Sequence, residues 1–332
     1  MNQRIINRRT LLGSAGVAVL LATTACGGVQ GTNASAEYPT KAIEFIVPLA
    51  PGGSTDTLSR ALAKSLSEEM GQPVAVINKP GAGATVGLKE LKNANPDGYT
   101  VGLIPTSTLA VRPLSIKDSD PIAVGDFSVI KGLTTEDVVL YTYAGSEYKT
   151  GEDVAGLKGK NVKYASSGPG TVTGTAQALF FQAVGAEATG VPFDGGAPAK
   201  TAVLGKQVPF GAGHPGEIAE EVKAGTLVPL VVFSNEKSQY LPEVTTSAEL
   251  GVDIAMDQRR LFGAPKDMPA DILEKLVAAT DKAIESDEYK KVLEQGYFTP
   301  LVQDGDTAAG EVETQLANYR TQVDALGVQL GG

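Results

Sequence analysis

The chain has 332 residues, of which 42% are hydrophobic and 20% charged, and its formal net charge is −10. These proportions are ordinary for a globular protein, and the surplus of acidic side chains argues against a nucleic-acid partner. One cysteine and one histidine are too few for a thiolate or multi-histidine metal centre, so we expect no metal and no cofactor.

The N-terminal segment has the pattern of an export signal. Arg8 and Arg9 precede an uncharged run of small and aliphatic residues that ends at Cys26. The run is too short for a membrane span, and the paired arginines resemble a twin-arginine signal. We expect residues 1–25 to be the signal, Cys26 to be lipidated, and residues 26–37 to be a flexible tether on the outer face of the cytoplasmic membrane. A soluble product cleaved after residue 25 and an uncleaved anchor are the alternatives.

From residue 40 onward, short apolar runs alternate with helical patterns, which predicts an α/β architecture with largely parallel sheets. Leu58, Leu62 and Leu66, for example, recur at helical spacing. The predicted strands cover residues 42–47, 74–77, 99–104, 138–143, 162–165, 208–212 and 227–233. The predicted helices cover residues 56–70, 173–184, 217–224, 270–286, 287–295 and 307–326.

Two glycine-containing loops, residues 51–56 and 166–173, each follow a predicted strand and lead into a helix. Each places small and hydroxyl residues at a helix N-terminus, where backbone N–H groups and the helix dipole favour an anion. We expect the pair to hold a small carboxylate with backbone and hydroxyl donors, without side-chain cations. Helix capping alone, by Ser54, Thr55 or Thr173, is the alternative.

A third loop and the lone histidine are less informative. Residues 81–87 imitate a dinucleotide fingerprint, but the nearest acidic residue, Asp97, precedes the next strand instead of ending it. We interpret this loop as a structural turn or as a wall of the anion site. His214 lies in a turn-like stretch and is either a loop residue without a special role or a general base.

Seven motifs, in order, resemble a known family. They read PGGSTDTLSR at 51–60, VINKPGAG at 76–83, PDGYTV at 96–101, YASSGPGT at 164–171, VPFDGGAPA at 191–199, KAGTL at 223–227 and LPEVTTSAELG at 241–251. Together they resemble the extracytoplasmic solute receptors of tripartite tricarboxylate transporters, the Bug family.

The resemblance implies a two-lobed periplasmic-binding-protein fold of type II, with mixed sheets flanked by helices. The chain would cross between the lobes twice, near residues 137–145 and 256–263. One lobe would contain residues 38–140 and 259–332, and the other residues 141–258.

The resemblance also implies that the two glycine loops and the motif at 191–199 bind the ligand. The implied binding residues are Pro51, Gly52, Gly53, Ser54, Thr55, Asp56, Thr106, Ser107, Ser166, Ser167, Gly168, Gly170, Thr171, Thr173, Asp194 and Gly195. Asp194 would disfavour a second carboxylate nearby and favour a hydroxyl or amino group, unless it is a solvated turn residue.

The chain departs from the family pattern at two places. Gly174 stands where many members have a histidine, and Arg259 and Arg260 lie where many have a tryptophan. Either arginine could supply a cation that faces the cleft, or both could be solvated.

The implied function is that of a monomeric, lipid-anchored receptor with no enzymatic activity. It would capture a di- or tricarboxylate such as citrate, or a related organic acid, for membrane permease subunits. A secreted α/β enzyme is one alternative, although no Gly-x-Ser-x-Gly motif is present. A sensor that reports ligand binding to a signalling partner is the other.

Overall fold

The computed structural model describes residues 38–168, 170–193, 195–328 and 330. The expected export signal, Cys26 and the tether therefore lie outside the described residues, as does Asp194. No helix in the described part of the chain combines the length and apolarity needed to cross a membrane.

In the described residues, the strands form two six-stranded sheets. Across the first sheet the order is β12 (Thr299–Asp304), β4 (Phe127–Asp137), β11 (Asp257–Pro265), β3 (Thr100–Pro105), β1 (Ile43–Val47) and β2 (Val74–Asn78). β1 pairs in parallel with β2 and β3, whereas β11 pairs antiparallel with β3 and β4, and β12 antiparallel with β4.

Across the second sheet the order is β10 (Thr245–Thr246), β9 (Leu227–Val232), β5 (Val139–Tyr143), β8 (Phe210–Gly213), β6 (Asn161–Ser166) and β7 (Glu187–Pro192). β5 runs antiparallel to β8 and β9, and the other pairs are parallel.

The expectation of largely parallel sheets is wrong for the strands that connect the two lobes. The chain passes from the first sheet to the second at Val138, between β4 and β5, and returns between β10 and β11. Among these connecting strands, β11 pairs antiparallel with β3 and β4, and β5 pairs antiparallel with β8 and β9. The sheets are therefore mixed.

Helices cover the sheets. They are α1 (Ser54–Met70), α2 (Thr85–Lys92), α3 (Arg112–Ser115), α4 (Gly151–Ala155), α5 (Val172–Ala183), α6 (Gly196–Leu204), α7 (Pro215–Lys223), α8 (Ala270–Ala283), α9 (Asp287–Gly296) and α10 (Gly305–Leu326). A π-helical turn, Ser107–Val111, precedes α3, and a 3₁₀ turn, Val124–Asp126, precedes β4.

The leucines of α1 that recur at helical spacing in the sequence are buried on one side of the helix, as that spacing predicts. Leu58, Leu62 and Leu66 are buried in one apolar cluster with Phe45 of β1 and Leu276 of α8. This packing fixes α1 behind β1, so the loop between them lies at the carboxyl end of the strand.

A second apolar cluster joins the lobes. It contains Leu109 and Val111 of the π-helical turn, Leu179 of α5 and Val312 of α10. The loop that precedes α5 is thereby held close to the elements of the first sheet.

Candidate functional site

The two glycine loops face a common cavity of about 200 Å³, which we call the inner cavity. The loop after β1 contributes Ser54 and Thr55, and the loop after β6 contributes Ser167 and Thr173. The structure thus brings together two segments that are more than 100 residues apart and belong to different sheets.

The first loop presents an uncapped helix N-terminus. The N-cap residue of α1 is Gly53, and no side chain caps the helix there. Capping by Ser54 or Thr55 therefore does not account for this loop. The N–H groups of the first turn have no partner within the helix and are available to an anion.

Asp56 holds the first loop in shape. Its carboxylate accepts hydrogen bonds from the Gly52 N–H at 2.9 Å, from Asn78 Nδ2 at 2.8 Å and from Arg60 Nε at 2.9 Å. Burial opposes ionisation of Asp56, but the hydrogen bonds from Arg60, Gly52 and Asn78 outweigh it and hold its pKa below the ordinary value. Asp56 is thus a positioning residue of the loop.

Some hydroxyl groups of the second loop form hydrogen bonds within the loop and the first turn of α5. Thr171, and not Thr173, is the N-cap of α5, and its Oγ1 accepts from the Gly174 N–H at 3.2 Å. Thr171 Oγ1 also donates to the Gly168 carbonyl at 2.7 Å. Ser167 and Thr173 hydrogen-bond to each other and line the cavity.

Gly174, which stands where the family pattern has a histidine, lies close to two hydroxyls of the second loop. A Cβ at this position would lie 2.7 Å from Ser166 Oγ and 2.9 Å from Thr171 Oγ1. Ser166 Oγ in turn accepts from the Gly168 N–H at 3.3 Å. A side chain at 174 would therefore require these two hydroxyls to move from their present positions.

Strand β11 separates the two neighbouring arginines. Successive side chains point to opposite faces of a strand, and Arg260 faces the inner cavity, whereas Arg259 pairs with Asp257 and Glu311. Arg260 is 3% exposed and forms an ion pair with Glu136 of β4. Its Nη2 donates to Ser54 Oγ at 2.9 Å and its Nε to Thr55 Oγ1 at 3.1 Å.

Arg112, at the start of α3, is a second arginine that lines the inner cavity. It packs against Gly170 of the second loop, where a Cβ would lie 3.2–3.3 Å from its Cα, Cβ and Cγ. The expectation of a site without side-chain cations is therefore wrong. Sequence reasoning had no signal for Arg112, because its position depends on the unpredicted π-helical turn.

The other predicted binding residues fall into three groups. Ser107, Gly170, Thr171 and Gly195 also line the inner cavity, together with Gly83 and Ala84, so the third glycine loop forms one of its walls. Gly52 and Gly53 line an adjoining cavity of about 460 Å³, the outer cavity. Pro51, Asp56, Thr106, Ser166 and Gly168 line neither of these two cavities.

The outer cavity adjoins the inner cavity and shares the wall residues Ser54, Gly196 and Glu217 with it. The lining of the outer cavity is the more acidic of the two. Glu136 and Glu217 line it, and Tyr141 lies beside them. Burial, followed by the nearby carboxylates of Glu217 and Glu221, raises the pKa of the Tyr141 hydroxyl.

Lys200 also lines the outer cavity and pairs with Glu221 at 2.6 Å. Burial opposes ionisation of Glu221, but the hydrogen bond from Lys200 lowers its pKa. These acidic and basic groups were not singled out from the sequence, since they become neighbours only in the fold.

His214 lines the inner cavity at the N-terminus of α7 and is 7% exposed. Its Nδ1 donates to the Asp137 carbonyl at 2.9 Å, at the end of β4. Because this ring nitrogen binds a backbone carbonyl next to the crossing at Val138, the histidine ties α7 to the connection between the lobes.

The lobes also touch at the mouth of the cleft. Tyr240 donates its hydroxyl to the Phe298 carbonyl at 2.8 Å and packs against Tyr297. A Cβ at Gly216 of α7 would lie 2.2 Å from the Gly296 carbonyl oxygen at the end of α9. The two lobes are therefore in contact beside the outer cavity, whose wall includes Gly216, Gly296 and Phe298.

Comparisons with known proteins identify the family of the chain. The family model described as the tripartite tricarboxylate transporter family receptor matches residues 58–328. BugT of Bordetella pertussis is 28% identical, over 95% of this chain and 98% of its own.

Two solved structures resemble most of the chain. A TctC solute-binding protein from Polaromonas has a TM-score of 0.71 and 27% identity, covering 87% of this chain and 99% of its own. MatC from Rhodopseudomonas palustris with bound malate has a TM-score of 0.74 and 25% identity, and the match covers 86% of this chain and 100% of the MatC chain.

These matches confirm the two-lobed α/β fold and the family resemblance. The family consists of extracytoplasmic receptors and not of enzymes, so the alternative of a secreted enzyme is rejected. The chain belongs to the Bug family, the solute-binding receptors of tripartite tricarboxylate transporters.

Proposed function

We propose that this receptor binds a small di- or tricarboxylate, such as malate or citrate, and delivers it to the membrane permease subunits of its transporter. The observation that carries the proposal is the inner cavity, where loops from both lobes present hydroxyls and helix N-termini beside Arg260. The solved complex of MatC with malate supports this ligand class.

In this proposal Arg260 prepares the first loop for an anion. Its guanidinium donates to Ser54 Oγ and Thr55 Oγ1, so each hydroxyl is left with its own hydrogen to donate. Since Glu136 balances the charge of Arg260, the ligand carboxylate meets hydrogen-bond donors and not an unpaired cation at this point.

Ligand capture would be coupled to closure of the lobes. We propose that residues 38–140 and 259–332 move against residues 141–258, and that the contact between Tyr240 and Phe298 forms as the lobes close. Closure removes water from the carboxylate and creates the surface that the permease recognises. The ligand drives it by binding the closed state more tightly.

The remaining parts of the proposal concern the cell envelope. Lipidation of Cys26 and a tether of residues 26–37 would hold a monomeric receptor at the outer face of the cytoplasmic membrane. We also propose that Asp194 contacts the ligand and favours a hydroxyl or amino group over a further carboxylate.

The test is a thermal-shift screen of di- and tricarboxylates, followed by calorimetric titration. A ligand at 100 times its Kd stabilises the folded state by about 2.7 kcal/mol. The Ser54→Ala/Thr173→Ala variant should bind at least tenfold more weakly, because hydrogen bonds to a charged group are lost. Thr314→Ala, which removes a hydroxyl from the exposed face of α10, should bind like the wild type. No response to any acid would refute the proposal.

A further inference from the structure

A third cavity, the side cavity, adjoins the inner cavity at Arg112. Its volume is about 390 Å³, and it shares Thr108 and Arg112 with the inner cavity. Pro113, Ile116 and Ile122 give it apolar walls. Arg112 therefore stands between a polar site in the cleft and a less polar space beside it.

Two buried polar atoms at the side cavity lack a hydrogen-bond partner among the described residues. They are Thr85 Oγ1 and Arg112 Nε. Thr85 is 6% exposed, and both residues line the cavity. Buried polar side-chain atoms nearly always have a partner, so two unpartnered atoms beside one cavity indicate a missing group that accepts hydrogen bonds.

The charges around Arg112 favour an anion as that group. In the described part of the chain, Arg112 has neither a hydrogen bond nor an ion pair through its guanidinium, in contrast to Arg260 with Glu136. Of the other charged residues at the side cavity, Asp118 lies 3.8 Å from Lys89, and Lys117 is exposed. A carboxylate would satisfy both a guanidinium and a hydroxyl donor.

We propose that Arg112 and Thr85 bind the second carboxylate of an elongated α,ω-dicarboxylate. This inference rests on the proposed function, since the first carboxylate lies between the two glycine loops. The inner cavity alone is smaller than most ligand pockets, and the apolar walls at Ile116 and Ile122 suit a methylene chain. Arg112 is thus a specificity-determining residue that separates dicarboxylates from monocarboxylates.

The experiment compares acids of equal length. Succinate, adipate and suberate are titrated into the full receptor by calorimetry, each alongside the monocarboxylate with the same number of carbons. For the longer acids, the wild type should bind the dicarboxylate at least tenfold more tightly than its monocarboxylate. Arg112→Gln should abolish that difference, because it should weaken binding of the dicarboxylate at least tenfold more than binding of the monocarboxylate. Thr85→Val should reduce the difference severalfold.

Lys117→Gln is the matched control, because it removes an exposed cation from the same cavity and should keep the wild-type preference. Equal weakening of both acids by Arg112→Gln, or no weakening, would overturn the inference. Binding of malate or citrate without binding of adipate or suberate would overturn it as well, while the proposed function would stand. Failure of every acid to bind would refute both.

Discussion

The buried ion pair between Arg260 and Glu136 makes a quantitative prediction about stability. The two side chains are 3% and 1% exposed, and they lie on the neighbouring strands β11 and β4. In the variant Arg260→Met, Glu136 would be left as a buried carboxylate without its cation. Breaking a buried pair in this way costs about 3–5 kcal/mol of folding free energy.

A double variant distinguishes the cost of leaving one buried charge unpaired from the cost of losing the whole ion pair. Arg260→Met combined with Glu136→Leu removes both charges, and buried pairs replaced by apolar side chains are often close to neutral. We expect the double variant to be more stable than Arg260→Met by about 2 kcal/mol or more. Glu136→Leu alone should also be destabilised, because Arg260 then loses its counter-charge.

The assay is urea unfolding at pH 7. Circular dichroism is the signal that monitors unfolding, because the chain contains no tryptophan whose fluorescence could be used. Arg259→Met is the neighbouring control. Its ion pairs with Asp257 and Glu311 are partly exposed, so its loss should cost about 1 kcal/mol. The reasoning is refuted if Arg260→Met lies within about 1 kcal/mol of the wild type, or if the double variant loses the sum of the two single losses.

Three further variants test loop shape, pH dependence and closure. Gly174→Ala should displace Ser166 Oγ, which would lie 2.7 Å away, and weaken carboxylate affinity at least tenfold by calorimetry. Asp56→Asn should cost about 1–2 kcal/mol in urea unfolding at pH 7. Because the pKa of Asp56 is lowered, its contribution is present above the ordinary value and lost as the pH falls below it, so the difference should shrink in acid. Gly216→Ala should clash with the Gly296 carbonyl, so small-angle scattering with saturating ligand should show a more open receptor.

Each of these variants has an outcome that would contradict the account. Unchanged affinity in Gly174→Ala would mean that the shape of the second loop does not matter for binding. A stability difference for Asp56→Asn that grows as the pH falls would reverse the sign of the linkage. Wild-type compactness and affinity in Gly216→Ala would show that the contact at the mouth does not limit closure.

The sequence predicts best those elements whose pattern is local. The apolar spacing of α1 and the short apolar runs of β1 and β2 mark their positions to within about two residues. The two glycine loops are recognisable for the same reason, because the strand, the loop and the helix are consecutive in the chain.

The sequence does not predict the long strands β4 and β11, because their buried residues are not uniformly apolar. β4 contains the buried Glu136, and β11 contains the buried Arg260. Each charge is tolerated only because the other lies beside it, at a separation of 124 residues in the chain. No local pattern can reveal such a pair.

The same limit applies to individual site residues. Asp56 belongs to a loop that the sequence marks as a binding site, yet its carboxylate is occupied by Gly52, Asn78 and Arg60. Arg112 follows a π-helical turn that no periodicity predicts, and it reaches the cavity through that turn. Which side chains line a cleft depends on how the lobes pack, and that is a property of the whole fold.

The most direct measurement is a crystal structure of the receptor with a bound dicarboxylate. One carboxylate should lie within hydrogen-bonding distance of the first-turn N–H groups of α1 and of the hydroxyls of Ser54 and Thr173. Density for the acid outside the cleft, or in the cleft but in contact with only one of the two glycine loops, would contradict the account.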